Sequence, residues 1–131
     1  MINAVNVPAQ VVNVNNPILF SSTRIKTGCT VRHEPGSGRF VLLKPGVYKV
    51  TFNGTISADA ATTAILSITQ DGEALAGAQI ATAVDAAPAV VSGAVTTLVR
   101  VYCCDSAVSV VNPGTTPLTI TNANLIIDRL C

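Results

Sequence analysis

The chain has 131 residues and a formal net charge of +1, with 49% apolar and only 11% charged residues. That length holds one domain with a core of its own. The charge balance lacks the basic face by which proteins meet nucleic acid, and no run of about 18 apolar residues is present to span a membrane as a helix.

The first stretch, MINAVNVPAQVVNVNN, has neither the positive start nor the apolar block of a secretory signal. Export by that route is therefore expected only of an already processed chain. Val5, Val7, Val11, Val12 and Val14 alternate with Asn and Pro, with no hairpin partner nearby. Residues 1–16 read as an extended arm or first strand that docks on a neighbouring subunit or assembly, and residues 17–131 as the main domain. Short strands follow at Ile18–Phe20, Cys29–Arg32 and Phe40–Leu43, the last closed by the turn pair Pro45-Gly46. In VYKVTFNGTIS the alternation puts Tyr48, Val50, Phe52 and Ile56 on a core face, with Lys49, Thr51, Asn53 and Thr55 on a wet face. ADAATT is a loop, and AILSITQDGEAL is a hairpin turning at Asp71-Gly72. The Ala-rich AGAQIATAVDAAPAV, broken by Gly77 and Pro88, reads as a loop or short helix. VSGAVTTLVRVYCC and DSAVSVVNPG are strands, and TPLTITNANLIIDRL is a final strand or pair. Eight to ten short strands with regular turn signals predict an all-β, antiparallel two-sheet jelly-roll sandwich.

Ordinary soluble domains carry about 25% charged residues, and interspersed charge is what keeps monomers apart. A surface this poor in charge is expected to lie against copies of itself or a larger assembly. Strands apolar on both faces mark such contacts. Candidate interface residues are Val95, Val99 and Val101 on one face of the long strand, Leu98 and Tyr102 on the other, with Tyr48, Leu125 and Ile127 beside them.

The stretch RHEPGSGR concentrates the chain's reactive side chains, including its one histidine. Catalysis would need His33 to serve a nucleophile, and Ser37 is the nearest. The residues two before and two after Ser37 are Pro35 and Arg39, so the nucleophile-elbow spacing fails. The segment reads as a turn shaped by Pro35, Gly36 and Gly38, and no catalytic residue is assigned. One histidine and scattered cysteines supply no tetrahedral metal set, and the acids are too sparse for calcium. No metal or cofactor is expected. Adjacent Cys103 and Cys104 point to opposite strand faces; free thiols are the expectation, with an inter-chain bond at Cys131 or a disulfide as the alternative. Asn53-Gly54-Thr55 fits a glycosylation sequon by chance, inside a strand.

GSGRFVLLKPGVYKVTF resembles the signature of the complement-type globular head, related to the tumour-necrosis-factor-like jelly roll, through Gly38, Phe40, Pro45, Gly46, Tyr48 and Phe52. Leu66, Ile68 and Gly72 fit that family's next strand and turn. AVTTLVRVYCCDSAVSVVN fits its two long strands, and NANLIIDRL its closing strand, so the resemblance runs from Ile18 to Leu130. Aromatic residues are sparser than in the family, and the closing aromatic-Gly pair is missing. The chain thus looks closer to the phage-encoded and spore-surface trimeric domains of that type, the latter ending a collagen-like glycoprotein. The resemblance implies a homotrimer without enzymatic activity: a structural component of a phage virion, such as a head decoration, fibre or tail-associated protein assembled in the bacterial cytoplasm. The alternative is a trimeric module on a spore or cell surface that recognises a host glycan or protein.

Overall fold

Strand formation here follows from β-branched residues placed at every second position. The computed structural model describes residues 1–86, 89–102 and 105–130, and it contains eleven strands: β1 Ile2–Asn6, β2 Gln10–Val12, β3 Ser22–Lys26, β4 Val31–His33, β5 Phe40–Leu42, β6 Gly46–Ser57, β7 Thr62–Gln70, β8 Glu73–Val84, β9 Val91–Val101, β10 Ser106–Val111 and β11 Leu118–Arg129. One sheet has the order β3-β1-β11-β6-β9, with β2 also paired to β11; the other has the order β4-β5-β10-β7-β8. Every named pair is antiparallel. The architecture is the expected jelly-roll sandwich.

The core fills the space between the two sheets. Tyr48, Val50, Phe52 and Ile56 of β6 point into it, as their alternation predicted, together with Leu42 of β5, Leu66 and Ile68 of β7 and Leu125 and Ile127 of β11. The hairpin at Asp71-Gly72 forms as read. Gln70 pairs with Glu73, and both turn residues have positive φ (53° and 88°), which matches the right-handed strand twist.

Four segments differ from the sequence reading, the first being β3, an edge strand at Ser22–Lys26 where none was expected. The N-terminal stretch supplies a first strand, but that strand docks on its own chain: β1 pairs with β11 and β3, and Ile2, Ala4 and Val12 are core residues. Its β11 partner lies roughly 120 residues away in sequence, beyond the reach of local pattern. The Ala-rich segment is mostly strand β8, paired with β7 along most of its length and burying Ala78, Ile80 and Val84. At the edge of a sheet, small side chains suffice on the wet face. Residues 17–20 form isolated bridges, Pro17 to Val111 and Phe20 to Ser37, in place of a strand, as the chain passes across the open end of the sandwich. Of the cysteines, Cys29 is exposed and free; Cys103, Cys104 and Cys131, with Pro88, lie outside the described residues.

Deleting residues 1–6 is expected to abolish the cooperative urea transition or lower its midpoint sharply. Burial of Ile2 alone contributes about 1.5–3 kcal/mol against a total stability of about 5–15 kcal/mol. A truncated protein with the full-length midpoint would mean that the sandwich stands without its first strand.

Candidate functional site

The outward face of the first sheet is built by the alternate residues of β1, β11, β6 and β9. Register places Asn3, Ile126, Thr51 and Thr96 in one row and Val5, Asn124, Asn53 and Ala94 in the next. Asp128, Lys49 and Leu98 form a third row on the other side. Most of these side chains are small and uncharged. Asn3 is nearly buried on this face yet fully engaged. Its Nδ2 donates to Asn124 Oδ1 (2.6 Å) and to the Leu125 carbonyl (3.2 Å), and its Oδ1 accepts from Arg24 Nη1 (2.9 Å). The Asn3 and Thr51–Thr96 side chains of this face are hydrogen-bonded to neighbours in the same chain, so those groups can be covered without being stranded.

The residues expected at an interface divide by strand parity. Leu98 (61% exposed) and Tyr102 (77% exposed) point outward from this sheet, and the Arg100 guanidinium lies 4.9 Å from the Tyr102 ring centroid. Tyr48, Val99, Val101, Leu125 and Ile127 point the other way and are buried in the chain's own core, while Val95 packs partly against it. A side chain already buried at 0–3% exposure has no area left to give a neighbour, so the inward group leaves the interface set. Tyr48 instead holds a turn: its hydroxyl donates to the Lys44 carbonyl at 2.7 Å and pins the chain at Pro45-Gly46.

RHEPGSGR is the tight β4–β5 connection. His33 does not meet the Ser37 hydroxyl. Its Nε2 contacts the Ser37 carbonyl at 2.7 Å, and its ring stacks on Phe40 at 4.1 Å between centroids. Ser37 Oγ accepts from the Arg39 backbone N–H at 3.0 Å. Among the described residues, no three His, Cys, Asp or Glu side chains gather as a metal set. Arg32, Glu34, Ser37, Arg39 and Val41 instead line a hollow of about 280 Å³, a grouping visible in the sequence only as a turn. Across the second sheet Asp71 ties the β7–β8 turn to β10. Its Oδ1 accepts from the Ala107 N–H (2.9 Å) and its Oδ2 from the Ser106 hydroxyl (2.6 Å). The Ala107 bond first, then Ser106 and the Arg39 charge, hold its carboxyl below the usual 3.8, against the opposing effect of burial.

No protein-family model and no curated protein matches the sequence. Solved structures do. The globular domain of zebrafish complement 1qA superposes with a TM-score of 0.67 at 10% identity, covering 99% of this chain and 96% of that one. Murine APRIL gives 0.70 at 12%, covering 98% of each chain. The PRD1 vertex protein P5 gives 0.63 at 14%, covering 99% of this chain and 96% of that one. At such identities the likeness is one of fold: the chain is an all-β jelly roll of the tumour-necrosis-factor and complement globular-head type.

Two outcomes test this geometry. In Gly38→Ala the new Cβ would lie 2.5 Å from the Ile18 carbonyl oxygen and 2.9 Å from Pro17 Cβ, so the crossing segment must shift. A loss of about 1–3 kcal/mol is expected in urea unfolding, and an unchanged midpoint would show the turn to be loose. The lowered carboxyl of Asp71 adds stability that is full above its usual 3.8 and lost as pH falls through its lower folded value. Asp71→Asn should therefore flatten the acid limb of the stability curve below pH 3.8 relative to wild type; parallel limbs would show that the bonds to β10 do not hold the ionised form.

Proposed function

We propose that the chain is a non-enzymatic structural protein that assembles as a homotrimer and serves in a phage virion, as a head decoration, fibre or tail-associated component. The outward face of the β3-β1-β11-β6-β9 sheet carries this reading. It combines apolar anchors at Leu98 and Tyr102 with hydrogen-bonded Asn3 and Thr51–Thr96 side chains and a scatter of charges at Lys49, Arg100 and Asp128, a mixture of the kind that interfaces show. The three-fold count comes from the resemblance, and the likeness in fold to the PRD1 vertex protein supports a place on a particle. A second reading, a trimeric surface module that recognises a host glycan or protein, is favoured by one observation: the arginine-lined hollow on the other sheet.

Light scattering coupled to size-exclusion chromatography is expected to give about three times 13.4 kDa, with or without reductant. Replacing both Leu98 and Tyr102 with Glu should give a folded monomer, because neither side chain is part of the core. A wild-type monomer, or a trimer indifferent to the double substitution, would overturn the assembly through this face.

A further inference from the structure

The β4–β5 turn is held by more contacts than a connection needs. Gly36 N–H donates to the Phe20 carbonyl (2.8 Å), Phe20 N–H to the Ser37 carbonyl (3.2 Å) and Ser37 N–H to the Glu34 carbonyl (3.0 Å). His33 reaches the same Ser37 carbonyl, and its buried Nδ1 has no partner among the described residues. The hydrogen bond at Nε2 and the stacking on Phe40 thus fix the ring at the cost of an orphaned nitrogen. Gly38 is wedged beneath Pro17 and Ile18. A turn fixed this way presents the side chains it carries with little ordering left to lose on binding.

Two arginines flank it, Arg32 on β4 and Arg39 at the end of the turn. Arg32 and Arg39 flank the hollow of about 280 Å³ with Glu34 and Ser37 between them. Among the described residues neither guanidinium has a hydrogen bond, and no ion pair forms within 4.0 Å, although a carboxylate lines the same hollow. Arg39 also borders a second hollow of about 470 Å³ lined by Pro17, Thr69, Asp71, Ser109 and Val111. With Arg39 in the wall of both, the two hollows are neighbours, a divided trough on the outer face of the second sheet. The Asp71 oxygens there are already hydrogen-bonded to Ser106 and Ala107, and Arg39 acts on that carboxylate through its charge alone, so among the described residues both guanidiniums keep their N–H donors free.

We propose that this trough binds a carboxylate-bearing saccharide. Planar guanidiniums match a carboxylate in two parallel hydrogen bonds. Glu34, an acceptor at the same rim, suits the hydroxyls beside a sugar carboxylate, donors that free phosphate does not bring with it. The second hollow, polar at Thr69 and Ser109 and apolar at Pro17 and Val111, takes the adjoining ring. The site lies within one chain, on the sheet opposite the proposed assembly face, so it stands or falls apart from the trimer.

Calorimetric titration of the full chain tests it, with oligogalacturonate, sialyllactose, neutral lactose and inorganic phosphate as separate arms. Binding of one or both acidic saccharides is expected, each well above lactose and phosphate, and the stronger acidic arm tells whether a uronic or a sialic carboxylate fits. Arg32→Gln and Arg39→Gln should each weaken it about tenfold or more, with a cooperative urea transition retained, while Lys44→Gln on the exposed β5–β6 turn should leave it intact. No acidic arm binding at millimolar concentration, lactose or phosphate binding equally well, or Arg variants binding as wild type would each overturn the proposal. An equal loss in Lys44→Gln would do so too, since it would reduce the effect to general charge.

Discussion

Phe20, Phe40 and Phe52, the chain's three phenylalanines, meet at one junction. The Phe20 ring stands edge-on to Phe40 at 5.5 Å and to Phe52 at 6.5 Å between centroids. Phe52 belongs to the first sheet, Phe40 to the second, and Phe20 to the segment that crosses between them. Such contacts are worth about 0.5–1.5 kcal/mol beyond the area they bury, but their placement matters more. They fix the sheets relative to one another at the end where the crossing segment leaves no ladder to do so. Much else follows from that point. Ile18 and Phe20 are drawn fully inside, the chain presses on Gly38, and the β4–β5 turn is fastened to Phe20 by two backbone hydrogen bonds.

What the sequence revealed and what it hid divide along one physical line. β6 was legible because its period-two pattern is complete within twelve residues. The β7–β8 turn was legible because Asp-Gly has few other uses between two strands. The resemblance rested on Phe40, Pro45, Gly46, Tyr48 and Phe52, and those residues sit at the aromatic junction and at the turn that Tyr48 ties down. Hidden were features that depend on partners far along the chain. β1 looks like a free arm until β11 is beside it. β11 reads as a strand or a pair because its register breaks at Asn122 and Ala123, where Asn122 takes φ +53° and donates to the Val7 carbonyl, between the stretches that β1 and β2 occupy. Alternation also gives parity without direction. Val99 and Leu98 were separable by face, but only the position of β9 beside β6 says that Val99 points in and Leu98 out. The arginine hollow has no local signature, since Arg32 and Arg39 come together only when the turn closes.

The edges of the sandwich explain why assembly should proceed through a face. An open edge strand invites pairing with another chain, and each edge here is managed. β3 carries Arg24 and Lys26 on five exposed residues, and its register with β1 shifts between Asn3 and Ala4. β4 is three residues long. The two long edge strands, β8 and β9, meet where the sheets close on one another. Ile80 of β8 sits over Gly93 of β9 so tightly that a Cβ there would lie 3.3 Å from its methyl carbons and 3.0 Å from Ile56 Cδ1. With edges short, charged or closed, the outward face of the first sheet is the surface left with exposed apolar anchors, Leu98 and Tyr102. The second sheet keeps Arg32 and Arg39 on the opposite side, where covering the first face leaves them open to solvent.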